Sequence, residues 1–228
     1  LYSSSSGFFI EAIRAYWKWN EQQNTWTQQP IPHFKKAMSI TYDGKTYTSE
    51  IDTATLTRII PIGKTVFCVM RFDQFSFLDF GNHESDKIFY LDSTWKQIPN
   101  IPNYAYFVET VVTLKDKEAY MLTQDKKILH LLPLKMDTIN SIGQCDAIAS
   151  SSSGKLIASF RNLGIYEYQN GWTKLFSAPY SPDNGEYYTY LTEFNNQFAL
   201  AMTPHDVKQK THLWISSDNS LKEINFGK

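Results

Sequence analysis

One phrase occurs twice in this chain, far apart. Ser3-Ser4-Ser5-Ser6-Gly7 leads into FFIEAIRA and then YWKWNEQQNTW. Ser150-Ser151-Ser152-Ser153-Gly154 leads into KLIASFRNLG and then IYEYQNGW. In both, a serine run and a glycine introduce an apolar strand, and a turn leads to a strand ending in an aromatic. A polar tight turn and a tryptophan follow. An internal repeat constrains the architecture more than any single motif, because each copy must bury a face that it cannot cover alone.

The unit recurs. KWNEQQNTWTQQPIP, KIFYLDSTWKQIPNIP and GIYEYQNGWTKLFSAP close three copies, with Trp26, Trp95 and Trp172 in equivalent places behind Trp19, Tyr90 and Tyr168. Weaker copies fill the gaps. One holds the YDGK turn and closes at Pro61. Another turns at Lys115-Asp116-Lys117 and at Gln124-Asp125-Lys126. The last turns at Asn195-Asn196 and at Asp218-Asn219. Asn and Asp at such tips suit the left-handed conformations of tight hairpins. The strands are β-rich or alternate (YYTYLTEF, QFALAM, VFCVM), and no helical period is sustained. The copies divide as 1–32, 33–64, 65–102, 103–143, 144–181 and 182–228, about the length of a four-stranded propeller blade. The expectation is an all-β chain: a single β-propeller domain, six-bladed with five or seven as alternatives, built of four-stranded antiparallel blades.

Composition narrows the function classes. A chain of 228 residues can bury a core without disulfide staples, and 15% aromatics favours strands. Net charge is −1 and only four arginines are present, which argues against nucleic acid. The Lys115, Lys117, Lys126 and Lys127 cluster is mixed with acids and is expected in solvated turns. No apolar run approaches the ~20 residues of a membrane span. The chain starts at Leu1, almost inside a strand. This suggests a processed or trimmed N-terminus and leaves the compartment open between exported and cytoplasmic. Cys68 and Cys145 are expected as small buried fillers, with a bond between them as the alternative.

KWNEQQNTWTQQPIP resembles the end of a kelch blade, in which an aromatic, a polar turn and a Trp close the two outer strands; the paired glycine of kelch repeats is absent, so the resemblance is kelch-like. Ser216-Ser217-Asp218-Asn219-Ser220-Leu221-Lys222 resembles the Asp-box turn of sialidase-type propellers, with Ser220 in place of the Gly. Both resemblances imply the propeller fold. The repeated tryptophans are expected between blades, as is the bulky face of the strand that carries Trp17 and Trp19.

In a propeller, the loops from second to third strands and from one blade to the next share a rim, the usual binding face. Two are long here, 79–86 and 203–210, and long loops on a rigid scaffold tend to carry function. They supply His83, Glu84, Asp86, His205 and Asp206. The inter-blade segments add Tyr104, Tyr180 and Tyr187, aromatics suited to contact surfaces. These eight are the binding-face candidates. No HExxH, EF-hand loop or nucleophile elbow is present, so no catalytic, metal or cofactor residue is assigned. The serine run Ser150 to Ser153 is expected as a turn, and Arg14 and Arg161 in structural or rim roles. The function expected is a non-enzymatic binding module for another protein. Its abundance of Lys, Asn and Ile suggests an AT-rich bacterial source and an effector-type adaptor or an immunity protein. A carbohydrate-binding propeller and a propeller hydrolase are the alternatives.

Overall fold

The computed structural model describes residues 2–4, 7–12, 15–52, 54–72, 86–99, 108–115, 117–132, 135–179, 187–204 and 210–224. Among these there is no helix. The chain is all-β, in six antiparallel sheets that follow one another along the sequence. Sheet A holds β1 (Tyr2–Ser4), β2 (Gly7–Ala12), β3 (Ala15–Asn20) and β4 (Thr25–Gln29). Sheet B is the hairpin of β5 (Lys35–Tyr42) and β6 (Lys45–Asp52). Sheet C holds β7 (Ala54–Ile62), β8 (Thr65–Phe72), β9 (Lys87–Asp92) and β10 (Thr94–Gln97). Sheet D holds β11 (Val108–Leu114), β12 (Glu118–Thr123), β13 (Ile128–Leu132) and β14 (Lys135–Ile139). Sheet E holds β15 (Cys145–Ser150), β16 (Leu156–Phe160), β17 (Gly164–Tyr168) and β18 (Trp172–Ser177). Sheet F holds β19 (Tyr187–Phe194), β20 (Gln197–Pro204), β21 (His212–Ser217) and β22 (Ser220–Glu223). Five sheets thus have the four-stranded meander of a propeller blade. The contacts gather into two compact units, one carrying sheets A to C and the other carrying sheets D to F.

The turns follow from local chemistry. Asn195 and Asn196 both adopt positive φ, as do Asp43 and Gly44, matching the two-residue hairpins expected at those tips. At two other turns a lysine adopts the left-handed conformation, Lys115 at φ 46° and Lys126 at φ 64°. The second serine run is a turn, as expected. Ser152 fastens it to sheet F: its N–H donates to Glu193 Oε2 at 3.0 Å, and its hydroxyl contacts Glu193 Oε1 at 2.5 Å. The two copies of the repeat align one residue away from the serine phrase. Phe9 sits opposite Lys18 as Ile157 sits opposite Glu167, because Gly7 already belongs to the ladder while Gly154 lies in the turn.

The segment expected as the second blade, 33–64, divides. Its first two strands form only the hairpin, and β7 joins sheet C through a two-residue turn at Gly63-Lys64. Pro61, expected to end a blade, lies within β7. That strand is an edge strand, where a residue without an N–H is tolerated. Sheet A packs directly on sheet C: Phe9 and Tyr16 share a core with Leu56, Ile59, Cys68, Met70 and Phe89, joined by Ile31 of the linker. Glu11 of sheet A accepts the N–H of Ile59 at 2.7 Å and lies 3.5 Å from Arg58.

In the second unit, sheets D and E bury Leu114, Tyr120, Leu122 and Ile128 with Ile148, Leu156, Ala158 and Phe160. Sheets E and F bury Ile165 with Leu200, Met202 and Trp214. The repeated tryptophans act as expected at two of three places. Trp95 donates its indole N–H to the carbonyl of Pro30, just past sheet A, and Trp172 donates to Asn140, just past sheet D. Each therefore ties its own sheet to the exit of the four-stranded sheet before it. Trp26 sits in the first sheet and is instead 39% exposed, resting edge-on against Trp19 at 5.2 Å. Cys68 and Cys145 are free thiols, each buried in the core of its own unit.

Candidate functional site

Three first strands carry the same irregularity. The register of β7 slips between Leu56 and Arg58, that of β11 between Val108 and Thr110, and that of β15 between Cys145 and Ala147. The extra residues are Thr57, Glu109 and Asp146. A bulge leaves its extra residue out of the ladder and turns its side chain, and bulges concentrate beside functional sites. In sheets D and E the bulge therefore aims a carboxylate out of the sheet.

Each carboxylate meets a cation from the turn between the second and third strands of its own sheet. Lys126, held at φ 64°, places its Nζ 2.7 Å from Glu109 Oε2. Arg161 grips Asp146 with two parallel bonds, Nε to Oδ2 at 3.2 Å and Nη2 to Oδ1 at 3.0 Å. A fork of this kind fixes both planes. Gln144 leans on the same carboxylate at 3.4 Å, and its backbone carbonyl accepts the N–H of Arg161.

These pairs wall a cavity of about 650 Å³, completed by Thr110, Gln124 and the first four residues of β19: Tyr187, Tyr188, Thr189 and Tyr190. That volume lies within the range of small-ligand sites, about 300–1,000 Å³. Tyr188 and Tyr190 are 55% and 62% exposed, while Tyr187 is half-buried against the core shared by sheets E and F. The Thr189 hydroxyl is buried in the wall with no hydrogen-bond partner among the described residues. A smaller void of about 20 Å³ lies beyond it, against Ser159, Arg161 and Met202.

No protein-family model matches the chain, and no curated protein matches it.

The sequence pointed to the rim formed by the second-to-third-strand turns and the blade-to-blade joins, and the cavity is built of such segments. Of the eight candidates, Tyr187 lines it. Asp86 lies in the first unit and is not a solvated loop side chain. It is fully buried and held by Arg71, Nε to Oδ1 at 3.2 Å and Nη2 to Oδ2 at 3.5 Å, because it immediately precedes the third strand, beside the end of the second. His83, Glu84, Tyr104, Tyr180, His205 and Asp206 lie outside the described residues, as does Arg14. Arg161, expected in a structural or rim role, stands in the turn between β16 and β17 and grips Asp146 in the cavity wall. Lys126 lies in the turn where it was expected and also lines the cavity wall.

Glu109 and Asp146 were missed because a bulge is a property of strand pairing and leaves no mark in the alternation of one strand. Their one available signal was the recurrence of an acid near the start of a first strand (VET, CDA). The three described arginines, Arg58, Arg71 and Arg161, each sit in a separate ion pair rather than gathering round one carboxylate as a sialidase-like site requires. Among the described residues no group of three or more His, Cys, Asp or Glu could hold a metal ion.

Proposed function

We propose that this protein is a binding module whose recognition site is the cavity at the rim of its second unit. The observation that carries the reading is the repeated pairing of a bulge carboxylate with a turn cation, Glu109 with Lys126 and Asp146 with Arg161, around one concavity edged by tyrosines. Such a wall is preorganised: its charged groups hold one another in place, and a ligand does not have to order them.

A protein partner is the second reading. It is favoured by the outward face of β19, where Tyr188, Tyr190 and Phe194 are all exposed, Phe194 by 75%. Aromatic stripes of this kind supply binding hot spots.

Hydrogen–deuterium exchange on the purified chain tests the proposal, with a mixed panel of neutral and acidic saccharides, nucleotides and short peptides. A binder is expected to slow exchange in segments 108–112, 124–127, 144–148 and 187–191 together. Binders that protect only other segments, or a panel with no binder, would overturn it.

A further inference from the structure

Resting on that reading, we infer that the ligand of the second unit's cavity is a neutral saccharide. The charges on the wall cancel: two carboxylates, Glu109 and Asp146, face two cations, Lys126 and Arg161. A phosphate or carboxylate ligand would have to compete for cations already neutralised, and the site offers no net field to draw it in. The wall is also too polar to be a slot for an apolar peptide side chain.

What the wall offers is a dense mixture of donors and acceptors. The carboxylates accept, the guanidinium and ammonium donate, the amides of Gln124 and Gln144 do both, and so do the hydroxyls of Thr110 and the tyrosines. A sugar is the ligand class whose own surface is such a mixture, with each hydroxyl able to donate and accept. Bonds from charged partners to neutral hydroxyls are among the stronger neutral-ligand contacts, because the charge is retained while the ligand carries none to desolvate.

Aromatic rings supply the other half of sugar chemistry, a flat apolar surface for the C–H face of a pyranose. Tyr188 and Tyr190 stand exposed at the cavity, with the half-buried Tyr187 beside them. The Arg161 fork fixes the plane of Asp146, and Lys126 anchors Glu109 through one oxygen. A pair of adjacent hydroxyls can then be read as a geometry, which is what separates one hexose from its epimer.

The test uses the purified chain on an array of immobilised neutral oligosaccharides (glucans, galactans, mannans) beside uronate-containing and sulfated ones. Calorimetric titration of the best neutral oligosaccharide follows. Neutral glycans are expected to bind and the acidic ones not. Glu109→Gln and Tyr190→Ala are expected to weaken the best ligand roughly tenfold or more, whereas Tyr47→Ala, on the hairpin, leaves it unchanged. Both cavity residues are part-exposed, so their variants keep the fold; Asp146→Asn adds a deeper probe if circular dichroism shows it folded. Glycan binding that survives Glu109→Gln and Tyr190→Ala overturns the inference, as does an array with no neutral binder. A nucleotide or peptide that binds through the same four segments in the exchange experiment would sink the saccharide assignment while leaving the cavity as the recognition site.

Discussion

At the scale of single residues, three positions bear most of the local risk. Gly164 opens β17 at φ 118°, and a Cβ built there would lie 2.0 Å from the carbonyl oxygen of Phe176. Neither the backbone conformation nor the neighbouring strand can yield cheaply. Gly164→Ala is therefore expected to lower stability by about 3 kcal/mol, read from urea midpoints. Trp172 donates to Asn140 at 2.8 Å and packs edge-on against Phe160 at 4.8 Å. Trp172→Phe keeps much of the packing and loses the bond, so a loss of about 1 kcal/mol is expected; an unchanged midpoint would remove the indole tie from the account. Lys126 holds a left-handed backbone that most side chains avoid, and it is the partner of Glu109. Strain kept at a ligand site is a recurring pattern. Lys126→Gly should relax the turn while weakening any cavity ligand.

At the scale of elements, the bulges and the hairpin are separable devices. Deleting Asp146 would bring β15 and β16 into continuous register and remove the carboxylate from Arg161. The deletion variant is expected to remain all-β by circular dichroism and to lose the exchange protection that a cavity ligand confers. The hairpin of sheet B behaves differently. Its described side chains are exposed on both faces, with hydroxyl pairs Ser39–Thr48 at 2.9 Å and Thr41–Thr46 at 3.1 Å along one of them. Tyr42 and Tyr47 are exposed and lie outside the shared core of sheets A and C. Tyr42→Ser and Tyr47→Ser are each expected to change stability by no more than about 0.5 kcal/mol. A larger loss would mean that the hairpin packs on the core.

At the scale of the molecule, each unit carries a buried thiol in its core, and both respond to alkali in the same direction. Burial pushes the Cys68 thiol well above its ordinary value. Burial, followed by the neighbouring Asp146 carboxylate, does the same to Cys145, and burial, followed by Cys68, raises Tyr16 to about 12. In the unfolded chain the thiols ionise near their ordinary 9.0, while in the folded chain they stay protonated. Above that pH the unfolded state has released more protons, so stability falls as pH rises; below it the contribution is complete and constant. The urea midpoint is expected to hold from about pH 7 to about pH 9 and then to drop, and Cys68→Ala with Cys145→Ala should flatten the drop. Both thiols are also expected to resist alkylation until the chain is unfolded, by mass spectrometry of iodoacetamide adducts.

Much of the fold was legible in the chain because strand pairing in a meander is local. Alternating or β-rich runs, Asn and Asp at the tips, and a Trp after the last turn of three copies are written within a few residues of one another, and they marked the all-β class and most of the turns. The Gly63-Lys64 turn was hidden by Pro61, whose meaning changes between a blade end and an edge strand. The candidate site was legible only as a region. The repeat placed Arg161 in the turn after a second strand and Tyr187 at a join between copies, since position within a repeat is a sequence property, and both line the cavity. Tertiary structure alone decided that Asp86 is buried, that Trp26 lies open where Trp95 and Trp172 are tied down, and that Glu109 and Asp146 face one cavity. Those facts depend on which sheet covers which face and on a one-residue slip between paired strands. Neither is encoded in any strand by itself; both arise when two strands, or two sheets, settle against each other.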